Sequence, residues 1–213
     1  MLFPTYEEAK ELSKGYKKIP VYEELLSDVV TPIGLLKKLK AKSRHCYILE
    51  SVEQQKHYGR YTFLGYNPLK VMTCIDGVVT IKDLQTNEEI VYKDRHPNDC
   101  IIEFVEQYKS PKIEGMPTFT GGLVGYFSYD YIKYSEPKLK LDAKDEEGFK
   151  DIDLMLFDKV IAFDNLKQKA RVDMNKKEEI NNYNKIRLKK RADPKRKARI
   201  INRLLKADFF KER

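Results

Sequence analysis

The run from Val71 to Lys82 constrains this chain more than any other stretch. Two β-branched segments, Val71–Ile75 and Val78–Lys82, are joined by the dipeptide Asp76-Gly77 alone. A two-residue link between strands favours a type I′ turn with positive φ at both central positions. Aspartate tolerates that geometry and glycine adopts it freely. The segment therefore predicts an antiparallel pair. Glu89–Lys93, after a turn at Thr86-Asn87, predicts a further strand. Other apolar runs give strands over His45–Ser51 and Arg60–Leu64, and one buried strand over Asp151–Asp164. Ala170–Met174 extends a hairpin with that last strand. Helices are expected over 5–16, opened by Thr5 with Glu7 and Glu8 behind it, and after the Thr31-Pro32 cap. In the second helix Ile33, Leu35, Leu36 and Leu39 would face inward. A third helix is expected over Pro97–Tyr108 with Ile101, Ile102, Phe104, Val105 and Tyr108 inward, and Lys18–Leu26 reads as extended. Strand groups with helices between them, and pairings that look antiparallel, give an α+β fold of largely antiparallel sheets with flanking helices. No dinucleotide-binding glycine pattern, P-loop or internal repeat occurs.

Charge divides the chain unevenly. Residues 176–213 hold fifteen Lys and Arg against five Asp and Glu, a net of +10; with +8 overall, residues 1–175 carry −2. The basic character belongs to the tail. Three widely spaced cysteines (Cys46, Cys74, Cys100) and three scattered histidines (His45, His57, His96) offer no metal-ligand spacing. The cysteines read as thiols in a reducing compartment. No apolar run approaches the roughly 20 residues of a membrane span. The start lacks a secretory pattern, so the cytoplasm is the expected location, with no membrane partner.

Phe119–Pro137 (FTGGLVGYFSYDYIKYSEP) sets Gly121, Gly122 and Gly125 among apolar residues. Glycine weakens a strand, so three of them predict a buried strand that something approaches closely. The second half places Tyr126, Tyr129, Tyr131 and Tyr134 beside Asp130 and Glu136. A core strand with a bulge is the plainer alternative.

This stretch resembles a signature of the N-terminal domain of anthranilate synthase component I, one of the chorismate-utilising enzymes. Upstream, Ile48-Leu49-Glu50-Ser51 followed by Gly59-Arg60-Tyr61-Thr62-Phe63-Leu64-Gly65 resembles a second block of that family. The resemblance covers residues 1–172 as the N-terminal, regulatory domain and leaves 173–213 as a basic helical tail or linker. It implies tryptophan biosynthesis. In the complete enzyme chorismate is aminated with ammonia from a glutamine amidotransferase partner, component II, and loses pyruvate to give anthranilate, with magnesium required.

Glu50, Ser51 and Arg60 are the candidate site. A carboxylate, a hydroxyl and a guanidinium brought together suit a small zwitterion, since Arg can take a carboxylate with two parallel bonds. A surface ion pair beside a strand end is the alternative. The resemblance assigns these three to the feedback inhibitor L-tryptophan, and Gly121, Gly122, Gly125, Tyr126, Tyr129 and Asp130 to the family motif. No carboxylate pair, nucleophile with base, or metal cluster appears. The family's catalytic residues and magnesium-holding glutamates belong to a C-terminal domain, so this chain is expected to lack catalysis and to bind no cofactor itself. Three other functions remain open: the same domain of aminodeoxychorismate synthase component I, a stand-alone amino-acid-binding module, and nucleic-acid binding through the tail. The last is disfavoured, because aromatics interleave poorly with the tail's charges.

Overall fold

In the computed structural model the Asp76-Gly77 link takes φ values of 47° and 80° between β5 (Lys70–Ile75) and β6 (Val78–Asp83), as the turn chemistry requires. The structure describes residues 2–27, 30–50, 60–136, 138–139, 146–167 and 169–175. These fold as two units. One takes Met1–Asn67, Ser110–Thr120 and the chain from Lys159; the other takes Pro68–Lys109 and Gly121–Asp158. Every strand pairing described is antiparallel, and the fold is α+β, as the sequence predicts. Among the described residues no helix is long and apolar enough to cross a membrane.

The first unit carries β1 (Leu2–Phe3), β2 (Pro20–Leu26), β3 (Cys46–Glu50), β4 (Tyr61–Tyr66), β10 (Lys159–Asp164) and β11 (Lys169–Asn175). They form one sheet in the order β1-β2-β11-β10-β4-β3. Thr5 caps α1 (Tyr6–Leu12) through a capping box with Glu8, and Thr31 caps α2 (Pro32–Lys40) with Pro32 in its first turn. Leu35 and Leu39 of α2 pack with Leu64, Ile161, Phe163 and Ala170. Leu64 and Ile161 are directly opposite in the register, so they share this face. Ile33, expected inward, is 50% exposed, because it falls off the stripe set by Leu35 and Leu39.

The second unit orders its strands β7 (Glu89–Tyr92), β6, β5, β9 (Ile152–Phe157) and β8 (Gly122–Phe127). Ile81, Met72 and Leu154 lie side by side across three strands, as do Val79, Cys74 and Ile152. Cys100 and Phe104 of α3 (Pro97–Glu106) complete that core. Burying such a side chain contributes roughly 1.5–3 kcal/mol. Ile102 and Val105, expected inward, are about half exposed at 54% and 47%; Cys100 takes the inward place one turn before Phe104.

Two strand expectations need correction. Asp151–Asp164 is not one strand: β9 ends at Phe157, β10 begins at Lys159, and Asp158 separates strands of different sheets. The glycine-rich strand is not buried. β8 is an outer strand of its sheet, with Gly125, Tyr126 and Phe127 exposed. What approaches it closely is its neighbour. A Cβ on Gly125 would sit 2.9 Å from the Asp153 carbonyl carbon and closer still to its oxygen. The three cysteines are free thiols, Cys74 and Cys100 buried and Cys46 half-buried. The tail beyond Asn175 lies outside the described residues.

Candidate functional site

Glu50 and Arg60, two of the three sequence-derived candidates, lie at one end of the first unit's sheet. Glu50 closes β3 as an exposed residue directly opposite Thr62, which is fully buried on β4. Ser51 lies outside the described residues. Arg60 immediately precedes β4, and its guanidinium turns to Asp164 at the end of β10: Nη2 donates to Oδ2 at 2.7 Å and Nε to the same oxygen at 3.2 Å. Asp164 lies opposite Tyr61, so strand alternation puts it on the other face from Thr62 and Glu50. The structure thus pairs Arg60 with Asp164 and brings Glu50 to the same end of the sheet.

Asp164 is fixed from several directions. Its Oδ1 accepts from the amides of Leu166 (3.2 Å) and Lys167 (3.0 Å), which shapes the β10–β11 turn. Asn165 donates its amide to the Arg60 carbonyl at 2.9 Å and its side-chain Nδ2 to the Thr62 hydroxyl at 3.2 Å. Burial pushes the Asp164 carboxyl up, but the Arg60 bond and the Lys167 and Leu166 amides outweigh it and hold the group below the usual carboxylate range. The bond to Asp164 raises Arg60 in turn. The Arg60 guanidinium carbon lies 5.0 Å from the centre of the Tyr61 ring. Beyond it the rings run Tyr61, Phe63, Phe119 and Tyr47, with neighbouring centroids 5.8, 5.7 and 6.5 Å apart. Tyr47 lies over Gly65, where a Cβ would come within 2.7 Å of its ring. Burial pushes its phenol strongly up.

The family motif forms a separate cluster in the second unit. Gly121 and Gly122 have φ of 144° and 146°, and Gly125 faces Leu154 across the ladder. After β8, Tyr129–Tyr134 makes a 3₁₀ turn whose Tyr129 is 82% exposed and whose Tyr131 and Tyr134 pack on the core. Tyr126 is also exposed and Asp130 is half-buried. The anchoring carboxylate is neither Asp130 nor Glu136. Buried Asp151 accepts from the Tyr134 hydroxyl at 2.6 Å and the Asp76 amide at 3.0 Å, and pairs with Lys133 at 2.8 Å. His96 accepts from the Asn98 amide through Nδ1, capping α3, which leaves Nε2 to donate to the Tyr134 carbonyl at 3.0 Å. Asp151, Lys133 and His96 were not legible as partners. The one local hint was the motif's own lysine among tyrosines.

This cluster has a pH signature. Burial, then the bond to Asp151, push the Tyr134 phenol up. For Lys133 burial works downward, but the Asp151 carboxylate outweighs it and raises the ammonium. Both groups therefore hold their protons more tightly folded than unfolded. Their contribution is complete below the ordinary values near about 10 and is lost as pH rises beyond them. Denaturation midpoints are expected to fall above about pH 10, and less steeply in Tyr134→Phe. Equal alkaline slopes for the two proteins would contradict this.

Among the described residues no three His, Cys, Asp or Glu side chains come together to hold a metal ion. The magnesium implied for the complete enzyme finds no donor set in them.

A family model described as chorismate binding enzyme matches residues 44–209, and the chain belongs to that family. Within it, the chain is similar to anthranilate synthase component 1. It is 34% identical to that of Acetivibrio thermocellus over 175 residues, covering 82% of this chain and 35% of the relative. It is 40% identical to that of Acinetobacter calcoaceticus over 157 residues, covering 72% and 31%. A crystal structure of anthranilate synthase component I from Streptococcus pneumoniae TIGR4 aligns with a TM-score of 0.46 at 26% identity, over 81% of this chain and 37% of that one. The chain spans about a third of the length of these curated relatives.

Proposed function

We propose that this chain is the N-terminal, regulatory part of an anthranilate synthase component I in tryptophan biosynthesis, and that it binds L-tryptophan as feedback inhibitor. The observation that carries the reading is identity of 34–40% to anthranilate synthase component 1 over 72–82% of the chain. Glu50 is an exposed carboxylate at the sheet end where Arg60 is held, on the face opposite Asp164. In this reading Glu50 takes the ligand's ammonium or indole N–H, Arg60 takes its carboxylate, and the Ser51 hydroxyl is the third binding group. The complete enzyme would convert chorismate to anthranilate with ammonia from a component II glutaminase, in the cytoplasm. Tryptophan and substrate would then favour different arrangements of the protein and oppose each other reciprocally.

The chain has no tryptophan of its own, so indole emission in a titration reports the ligand. The full chain is expected to bind L-tryptophan saturably. Glu50→Ala and Ser51→Phe should weaken binding by about tenfold or more, a loss of roughly 1.4 kcal/mol. No saturable binding, or variants that bind as the wild type does, would sink the reading.

A further inference from the structure

We propose that Asp164 is a positioning residue that sets the Arg60 guanidinium to receive a ligand carboxylate; this rests on the tryptophan-binding reading above. The pair is asymmetric. The Asp164 side chain is 1% exposed, while that of Arg60 is 36% exposed. One member is anchored inside the unit and the other reaches the surface. The anchor itself cannot swing, because its second oxygen is held by the Leu166 and Lys167 amides. The backbone of Arg60 is tied at the same place by the Asn165 amide.

The way the guanidinium is used points in the same direction. An arginine serving only an ion pair can place its fork across both carboxylate oxygens. Here Nε and Nη2 converge on Oδ2 alone, and Oδ1 is taken by the turn. Nη1 makes no hydrogen bond to a described residue, and the planar group lies near the Tyr61 ring. A long side chain normally loses rotamer freedom when it grips a ligand. Arg60 is already ordered by Asp164, with Nη1 engaged by none of the described residues. Asp164 belongs to the β10–β11 turn, far along the chain from Arg60, so ligand contact at Arg60 would be felt directly in that turn.

The competing account is electrostatic and has the opposite sign. Asp164 partly neutralises Arg60, so removing its charge should strengthen attraction for a carboxylate if orientation is unimportant. Asp164→Asn keeps the shape and an acceptor for the turn amides while removing the charge that holds the fork. The full chain and this variant would be titrated with L-tryptophan and with tryptamine, which lacks the carboxylate. Wild type is expected to prefer L-tryptophan by about tenfold or more. The variant should lose that preference while its tryptamine affinity stays within about twofold. Arg60→Lys, which keeps the charge and exchanges the fork for a point charge, should lose the preference as well and serves if the asparagine variant fails to fold. A preference kept or increased in Asp164→Asn, or kept in Arg60→Lys, overturns the positioning role and leaves the tryptophan site standing. Wild type that binds neither ligand overturns the site itself, and the positioning role with it.

Discussion

Gly125→Ala is expected to destabilise the second unit by about 3 kcal/mol or more, lowering the melting temperature by roughly 6–12 °C. Gly125 lies opposite Leu154 on β9, and the backbone there comes unusually near. A Cβ would meet the Asp153 carbonyl group, with its carbon at 2.9 Å and the Leu154 Cα at the same distance. Real Cβ atoms do not occupy such positions, and the obstacles are backbone atoms that no rotamer change can remove. β8 would have to leave β9, taking with it the pairings from Gly122 to Phe127. The 3₁₀ turn that follows starts from the end of that strand. Gly15→Ala is the control: nothing lies within 4 Å of its Cβ position, and a change within about 0.5 kcal/mol is expected. Thermal melts of the two variants against wild type decide the matter. An alanine at 125 as harmless as one at 15 would show that the two strands can separate locally at little cost.

The contrast between these glycines separates what the sequence discloses from what it hides. Local chemistry is legible. Asp76-Gly77 demanded its turn, and Thr5 and Thr31 their helix starts, because the acceptor and the amides it satisfies lie within three residues of each other. The glycine motif correctly signalled a close approach, but not that the approaching group is a neighbouring strand at a sheet edge. Alternating apolar residues look the same in central and outer strands. The break at Asp158 was hidden for a related reason: neither glycine nor proline marks it, and the apolar pattern runs on through both strands. Arg60 was visible as a candidate, yet its partner Asp164 lies 104 residues away, and only the β4–β10 register brings them together. His96 was read as scattered, although it caps α3 and reaches the Tyr134 carbonyl. Pairings that depend on register cannot be read from spacing, and the candidate site is made mostly of such pairings.

Asp151→Ala is expected to cost about 3–5 kcal/mol, because one buried side chain satisfies three groups from two separate turns. Its removal takes the close acceptor from the Tyr134 hydroxyl, the Asp76 amide and the Lys133 ammonium, leaving Lys133 only the longer contact to Asp76 at 3.5 Å and Tyr134 only the Cys74 sulfur at 3.7 Å. Each of these was desolvated on folding, and the lost contacts act on the 3₁₀ turn and the β5–β6 turn together. Asp151→Asn is milder, about 1–2 kcal/mol, since an amide oxygen can still accept from Tyr134 or the Asp76 amide and only the charge opposite Lys133 is lost. The backbone of residue 151 still accepts from the Ser128 amide in both variants, so β8 itself should remain paired. The damage should therefore concentrate in Tyr129–Tyr134. Hydrogen exchange would resolve this: the Tyr131 amide, bonded to the Ser128 carbonyl at 3.2 Å, and the Ser135 amide, bonded to Ile132 at 3.0 Å, should lose protection, while β9 amides lose only what global destabilisation removes. Uniform loss across the unit would mean that the turn and the sheet unfold together, and that Asp151 acts on global stability more than on the motif. An alanine variant as stable as wild type would mean that water replaces the carboxylate at all three donors, and that packing of Tyr131 and Tyr134 alone holds the tyrosine-rich segment in place.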